Sequence, residues 1–515
     1  MVLLTPFVGA AQSFVRSELP TTLSTPWEIT YGPDDFLWLT ESEGRVSRVN
    51  PTNGNKTVIY TAPDYYAGSP QEVLPCVQAP IGAGTGGLAL HPDFTDSSTA
   101  YVYFVYSYNS GSVDTPSTKF RIKRLKWDAT TNAITNDTNI VNLIATGHHH
   151  VGGRLKAIKQ NNVPYLFLST GDHGVSELKQ PDCYSPPSSN PNNFTQDIET
   201  PQGKIMRVNM DGSIPLDNPV PGNPFYTRGH RNPQGLIHHA SLGTIYAVEH
   251  GDITDDEINV LYKGMNYGWK EIRGYRNDNS FPGEADYAAN YIPDPSVPND
   301  SLVDPFYSWC TTLPIDTTES NPFCTVAPSG GTFYGSSAIP EWTNSLLVVT
   351  LKDNAVTDKE VYQFKLLPNG DLAPSITGSP NPKKFFGNDQ ALNGRLRDIA
   401  VSNDGTTIYL INNGGAATDK IIVYTIDSTT SVVNTNLPSS TIGLYPNPTT
   451  NDMVYLKGTK ELEGFLKIEI YALNGKLIFT SFHPREINVT SLNKGLFLMK
   501  VITDKTTYPL KFIKQ

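Results

Sequence analysis

A chain of 515 residues is too long for one ordinary domain, although a large β-architecture can absorb roughly 400. Glycine (41) and proline (40) are abundant and tyrosine (26) outnumbers tryptophan and methionine together, a mix that disfavours long helices and favours short strands joined by turns. The net charge of −11 argues against a nucleic-acid partner. No polybasic run suggests an anionic membrane, and no window approaches the roughly 20 apolar residues of a membrane span, so a soluble protein is expected.

The first segment, residues 1–14, is apolar and ends in small residues, as the remnant of a secretory signal would, or as an ordinary N-terminus. Six segments then share one grammar: a turn, an apolar or aromatic strand, and a polar residue at its end. They start at Phe36, Tyr101, Tyr165, Thr244, Ser345 and Thr407. Turns such as Gly32-Pro-Asp-Asp35 and His91-Pro-Asp-Phe94 precede several of them. Spacings of about 60 to 100 residues suit a four-stranded blade with variable loops. The fold class expected is therefore all-β, with a six-bladed β-propeller over residues 15–428. If these segments are the innermost strands, Asp172, His250 and Lys352 at their ends converge at one mouth of the channel.

Residues 429–440 form a Ser/Thr-rich linker. Beyond it, 441–515 carries alternating strands and an Asn474-Gly475 hairpin turn, as a small C-terminal β-sandwich does. Of the four cysteines, Cys310 and Cys324 are close enough in one loop to bridge, and Cys76 and Cys183 have no evident partner beyond each other. A bridge would place the protein in an oxidising compartment.

The chemistry concentrates between Gly229 and Trp269: Gly229-His-Arg-Asn-Pro-Gln-Gly235, Glu249-His-Gly-Asp252, Asp255-Asp-Glu-Ile-Asn259 and Asn266-Tyr-Gly-Trp269. Cations, amides, imidazoles and carboxylates in this density suit an anionic cofactor gripped through a metal. Of His148-His149-His150, three consecutive strand residues cannot all reach one ion. One imidazole acting as general base is more economical. Arg395 and Arg397 fall on one face of an extended strand and suit carboxylates, unless Asp398 neutralises them. With Lys352 and Arg231 they bring four cations to the mouth. The glycine of Glu249-His-Gly-Asp252 lets backbone approach a ligand, and carbonyls there suit Ca²⁺. An acidic turn at 255–257 is a weaker second Ca²⁺ site.

In collinear order over about residues 15–428, these motifs resemble the soluble PQQ-dependent glucose and aldose sugar dehydrogenases. The set includes His150…Gly153-Arg154, Gly171-Asp172, Gly229–Gly235, Asp255–Asn259, Asn266–Trp269, Thr325-Val-Ala-Pro-Ser329, Leu351-Lys352 and Arg395-Leu-Arg-Asp398. The resemblance implies a six-bladed propeller that oxidises a sugar at its anomeric hydroxyl to a lactone, with PQQ and Ca²⁺ as cofactors and an external electron acceptor. It implies that His150 is the base, Asp172 its supporting acid, and Arg231 the group stabilising developing negative charge. It assigns cofactor binding to Asn232, Gln234, His250, Thr325, Lys352, Arg395 and Arg397. It assigns the cofactor-linked Ca²⁺ to the backbone of Gly251 and Asp252, and a structural Ca²⁺ to Asp256, Glu257 and Tyr267. Residues 441–515 resemble the type A sorting domain of the type IX secretion system of Bacteroidota, which implies a secreted or cell-surface protein.

Four positions depart from the glucose enzymes. His149 stands where they have aspartate, Gly82 where they have glutamine and Asp252 where they have proline; the Cys310–Cys324 loop lacks an expected tryptophan. Glucose itself is therefore not implied as substrate. Two other classes stay open: a Ca²⁺-dependent, lactonase-like propeller hydrolase, and a non-catalytic propeller that binds glycan or protein.

Overall fold

The computed structural model describes residues 13–427 and 443–515, apart from 69–82, 115, 145–148, 175–192, 253, 278–281, 310–324, 354–356, 377–379, 415–417, 458–463, 473–476, 484 and 505–506. The chain divides into two compact units, 1–427 and 428–515.

The first unit is a six-bladed β-propeller, each blade a four-stranded antiparallel sheet. Its innermost strands are Glu28–Tyr31, Thr85–Leu90, Leu155–Gln160, Pro233–His239, Pro328–Tyr334 and Leu396–Val401. The last blade takes its outermost strand from the opposite end of the unit. Phe14–Glu18 pairs with Ile421–Ile426, Phe14 opposite Ile426, so the ring closes on backbone hydrogen bonds.

Six apolar cores, one between each pair of neighbouring blades, hold the ring together. Successive residues of a strand point to opposite faces. Hence Leu346 and Val348 pack toward the fourth blade, while Leu347 and Val349 pack toward the sixth. Likewise Phe104 and Tyr106 face the first blade, and Tyr103 and Val105 the third. A strand buried on both faces reads as an unbroken apolar run.

The repeated segments are therefore the second strand of each blade, such as Leu37–Glu41, Thr244–Glu249 and Ser345–Thr350, and not the innermost one as expected. Innermost strands carry small and polar residues instead, for example Thr-Gly-Gly-Leu-Ala-Leu at Thr85–Leu90. They approach one another closely: Gly87 donates its amide to the Gly153 carbonyl at 2.8 Å. Ser329 likewise donates from the fifth blade to the Leu396 carbonyl of the sixth at 2.8 Å.

The second unit is a small β-sandwich. One sheet holds Gly443–Tyr445, Met453–Lys457 and Glu486–Asn488; the other holds Leu477–Ser481, Phe465–Tyr471, Gly495–Thr503 and Thr507–Lys514. Val454, Ile468, Ile470, Ile487, Met499, Val501 and Phe512 fill its core. No helix of the described chain is long and apolar enough to cross a membrane. All four cysteines, Gly82, His148 and the linker lie outside the described residues.

Candidate active site

Chain segments entering four of the innermost strands, with those leaving Thr244–Glu249 and Ser345–Thr350, enclose a cavity of about 620 Å³ on the first unit. Its walls bring together His150, Arg231, His250, Gly251, Asp252, Asp256, Thr325, Lys352 and Arg395, all expected site residues, with Asp353. Asp172, Asn232, Gln234 and Arg397 lie behind this wall, each buried.

His150 sits in a loop before the strand Leu155–Gln160, not in a strand, and its backbone is left-handed at φ 52°. That conformation is sparsely populated for a side-chain-bearing residue and collects at functional sites. The loop closes tightly on Gly171, where an added Cβ would lie 2.1 Å from the His150 carbonyl oxygen. His150 Nδ1 lies 2.9 Å from Asp172 Oδ1. With Nδ1–H donated to that carboxylate, the neutral imidazole carries its lone pair on Nε2. Asp172 is fully buried and accepts at Oδ2 from the Trp269 indole N–H at 3.0 Å. The His149 ring stands edge-on to His150 at 4.2 Å.

Arg231 is aimed from a turn that Glu249 holds. One Glu249 oxygen accepts from the backbone amides of Arg231 and of Asn232, the latter at 3.2 Å. The other pairs with His230 Nδ1 at 2.9 Å. The Arg231 guanidinium reaches the His250 carbonyl at 3.4 Å and Asp252 at 3.6 Å. Asp252 also pairs with Arg273 at 2.8 Å. Both guanidiniums lie over the Trp269 ring, at 5.5 and 5.6 Å from its centroid.

On the opposite wall, Lys352 Nζ donates to the Thr325 carbonyl at 2.5 Å and to its hydroxyl at 2.7 Å. Arg395 Nε donates to the Leu351 carbonyl at 3.2 Å. Among the described residues Arg395 has no carboxylate partner, so its charge is available to a ligand.

Arg395 and Arg397 do not share a face. A register shift between Leu396 and Asp398 breaks the alternation, as a bulge does. Arg397 turns down the axis, donates to Gln234 Oε1 at 2.9 Å and lies 4.5 Å over the Trp27 ring. Burial, with Arg154 close by, pushes its pKa down to about 9. The cavity wall thus carries three of the four expected cations. Asp398 pairs directly with Arg154, at 2.9 Å, and acts on Arg397 only as a nearby charge.

His250 is neutral: burial, reinforced by Arg231, pushes its pKa down to about 3. Its Nε2 is buried with no hydrogen-bond partner among the described residues, an arrangement that suits a ligand atom.

Gly251 is required by the loop itself. A Cβ there would lie 2.0 Å from the Thr254 carbonyl, so the glycine serves the curl of the backbone. Asp256 braces that loop, accepting from the amides of Gly251 at 2.8 Å, Val326 at 2.6 Å and Ala327 at 2.8 Å. Burial raises its pKa, against the pull of these amides. The three residues expected to hold a structural Ca²⁺ face different partners. Glu257 takes the Gly274 amide at 2.7 Å, and Tyr267 donates to the Val260 carbonyl and stacks on His230. Among the described residues no group of three or more His, Cys, Asp or Glu side chains is arranged around a metal position.

Residues 23–422 match the glucose / sorbosone dehydrogenase family. The chain belongs to that family. Residues 443–515 match the secretion system C-terminal sorting domain, so this family member carries a sorting domain that follows its propeller in the chain. A relative in sequence is quinoprotein glucose dehydrogenase B of Acinetobacter calcoaceticus, 28% identical over 78% of this chain and 86% of its own. In fold, the PQQ-bound aldose sugar dehydrogenase of Streptomyces coelicolor superposes with a TM-score of 0.55 at 21% identity, over 82% of this chain and all of that one. The calcium structure of a Trichoderma reesei family AA12 enzyme superposes at 0.51 with 14% identity, over 81% and 96%.

Two parts of this dehydrogenase-family site escaped the sequence reading. Arg273 lies outside every motif, and only the fold brings it onto Asp252. Glu249 was quoted within its motif, but its grip on the Arg231 turn depends on a register between adjacent strands.

Proposed function

We propose that the protein is an exported quinoprotein that oxidises an aldose or related sugar at its anomeric hydroxyl to a lactone, using PQQ and Ca²⁺. One observation carries this reading: a base held by a buried carboxylate faces the same cavity as three cations. PQQ carries three carboxylates, and Arg231, Lys352 and Arg395 offer the complementary charge. The cavity also presents the buried imidazole of His250 and the backbone of Gly251 and Asp252, whose carbonyls suit a hard cation. The relatives named for quinoprotein and PQQ-bound enzymes, and the calcium structure, support the same cofactors.

When bound, PQQ supplies the two-electron acceptor for the hydride. This chain supplies the rest. His150 Nε2 takes the hydroxyl proton; Asp172 fixes the tautomer that makes this possible and stabilises the imidazolium formed. Arg231, itself buried, presents positive charge where negative charge develops. Lys352 and Arg395 hold carboxylates and fix orientation. A propeller hydrolase would have no use for the three cations gathered on this cavity.

The sorting domain supports export through the type IX machinery, as in Bacteroidota, and an acceptor outside the cell. The test is dye-linked oxidation of a sugar panel by metal-stripped protein, with and without PQQ and Ca²⁺. Turnover requiring both additions is expected, and the ranking of sugars names the substrate. Failure of PQQ to bind in a titration of the same sample would overturn the assignment.

A further inference from the structure

Trp269 touches both halves of the site. Its indole N–H donates to Asp172 Oδ2 at 3.0 Å, and the other oxygen of that carboxylate holds His150 at 2.9 Å. Its ring face carries Arg231 and Arg273 at 5.5 and 5.6 Å. The residue is itself fixed from behind. Its amide donates to the Gly229 carbonyl at 3.0 Å, and its carbonyl accepts from Thr195 Oγ1 at 2.8 Å and Gln196 Nε2 at 2.6 Å. The ring is 6% exposed, so packing leaves it little freedom.

We infer that Trp269 is a positioning residue that sets the base pair His150–Asp172 and the Arg231 guanidinium relative to each other. Two physical interactions meet in one rigid ring. The N–H fixes which Asp172 oxygen is left for His150, and so the direction of Nε2. The π-face attracts both cations and holds the guanidinium plane in place. Neither half needs Trp269 for its own chemistry, but their mutual geometry does, and small misplacements of reacting groups lower rates steeply. This inference rests on the proposed dehydrogenase reading for what the two halves do, while the geometry stands without it.

Two variants separate the N–H from the ring. Trp269→Phe keeps an aromatic face and loses the donor. Trp269→Leu loses both. PQQ affinity is read by titrating apoprotein in Ca²⁺, and kcat and KM from dye-linked turnover of the best sugar. Trp269→Phe is expected to bind PQQ within threefold of the parent, keep KM within threefold, and lose at least tenfold in kcat. Trp269→Leu is expected to lose, in addition, about tenfold in PQQ affinity. An unchanged kcat in Trp269→Phe overturns the inference. So does an equal loss of PQQ affinity in both variants, which would mark Trp269 as packing alone. The rate at which diethyl pyrocarbonate acylates His150, followed by peptide mass spectrometry, needs no turnover. A change of at least threefold in Trp269→Phe is expected, and an identical rate overturns the inference even if the parent protein oxidises no sugar.

Discussion

The Asp252 carboxylate lies 2.8 Å from the Arg273 guanidinium. Its other oxygen is 3.6 Å from Arg231, so one anion serves two largely buried cations. Burial lowers the Arg273 pKa, and Asp252 is the leading influence in the opposite direction.

Asp252→Asn leaves two close guanidiniums without their shared counter-charge. We expect the apoprotein to lose about 2 kcal/mol, less than the roughly 3–5 kcal/mol of a fully buried pair because the carboxylate is partly solvated. The freed positive charge suits an anionic ligand better. Differential scanning fluorimetry should therefore show a lower Tm for the apo variant and a larger upward shift on adding PQQ.

His150→Ala removes the base and leaves the cation set in place. Turnover should fall by roughly 10²–10⁴, the range for losing a positioned general base, while PQQ affinity in an apoprotein titration stays within a few fold. Asp172→Asn should reproduce most of that loss, because an amide does not select the Nδ1–H tautomer.

Arg395→Ala and Lys352→Ala should act on binding. Each removes one charged contact to a carboxylate, worth about 1.5–3 kcal/mol, or roughly tenfold to a hundredfold in PQQ affinity. With saturating PQQ, kcat should return to near the parent value. Persistent loss of kcat would place these cations at the reacting atoms.

Acid should expose His250. Its folded pKa of about 3 lies below the ordinary histidine value near 6.5. The folded state thus binds fewer protons than the unfolded state between those values, and its contribution to stability is lost as pH falls through that window. From pH 6.5 to pH 5 this one group accounts for about 2 kcal/mol. His250→Asn should flatten the dependence of unfolding free energy on pH by that amount, read from urea titrations at the two pH values.

Much of the fold was legible in the residues because each blade has one strand buried on both faces. Such a strand must be apolar throughout, and Ser345–Thr350 or Tyr101–Asn109 announce themselves for that reason. The same physics hid the innermost strands. They pack too tightly for large side chains and present polar groups along the axis, so Pro-Ser-Gly-Gly-Thr-Phe-Tyr at Pro328–Tyr334 reads as a loop. The order of blades was recoverable, and the layer of each strand within its blade was not.

At the site, the sequence by itself determined the inventory: a base, a supporting carboxylate, cations and a glycine-bearing loop, each marked by a local motif. Only the tertiary structure decided which of them share a cavity. A bulge after Leu396 sends Arg395 to the cavity wall and Arg397 down the axis. Asp256 spends its carboxylate on three backbone amides, and Asp398 goes to Arg154 on another blade. Arg273 and Trp269 join the site through contacts across segments distant in the chain. Local sequence sets what a side chain can do, whereas its partner depends on register, bulges and blade contacts that span hundreds of residues.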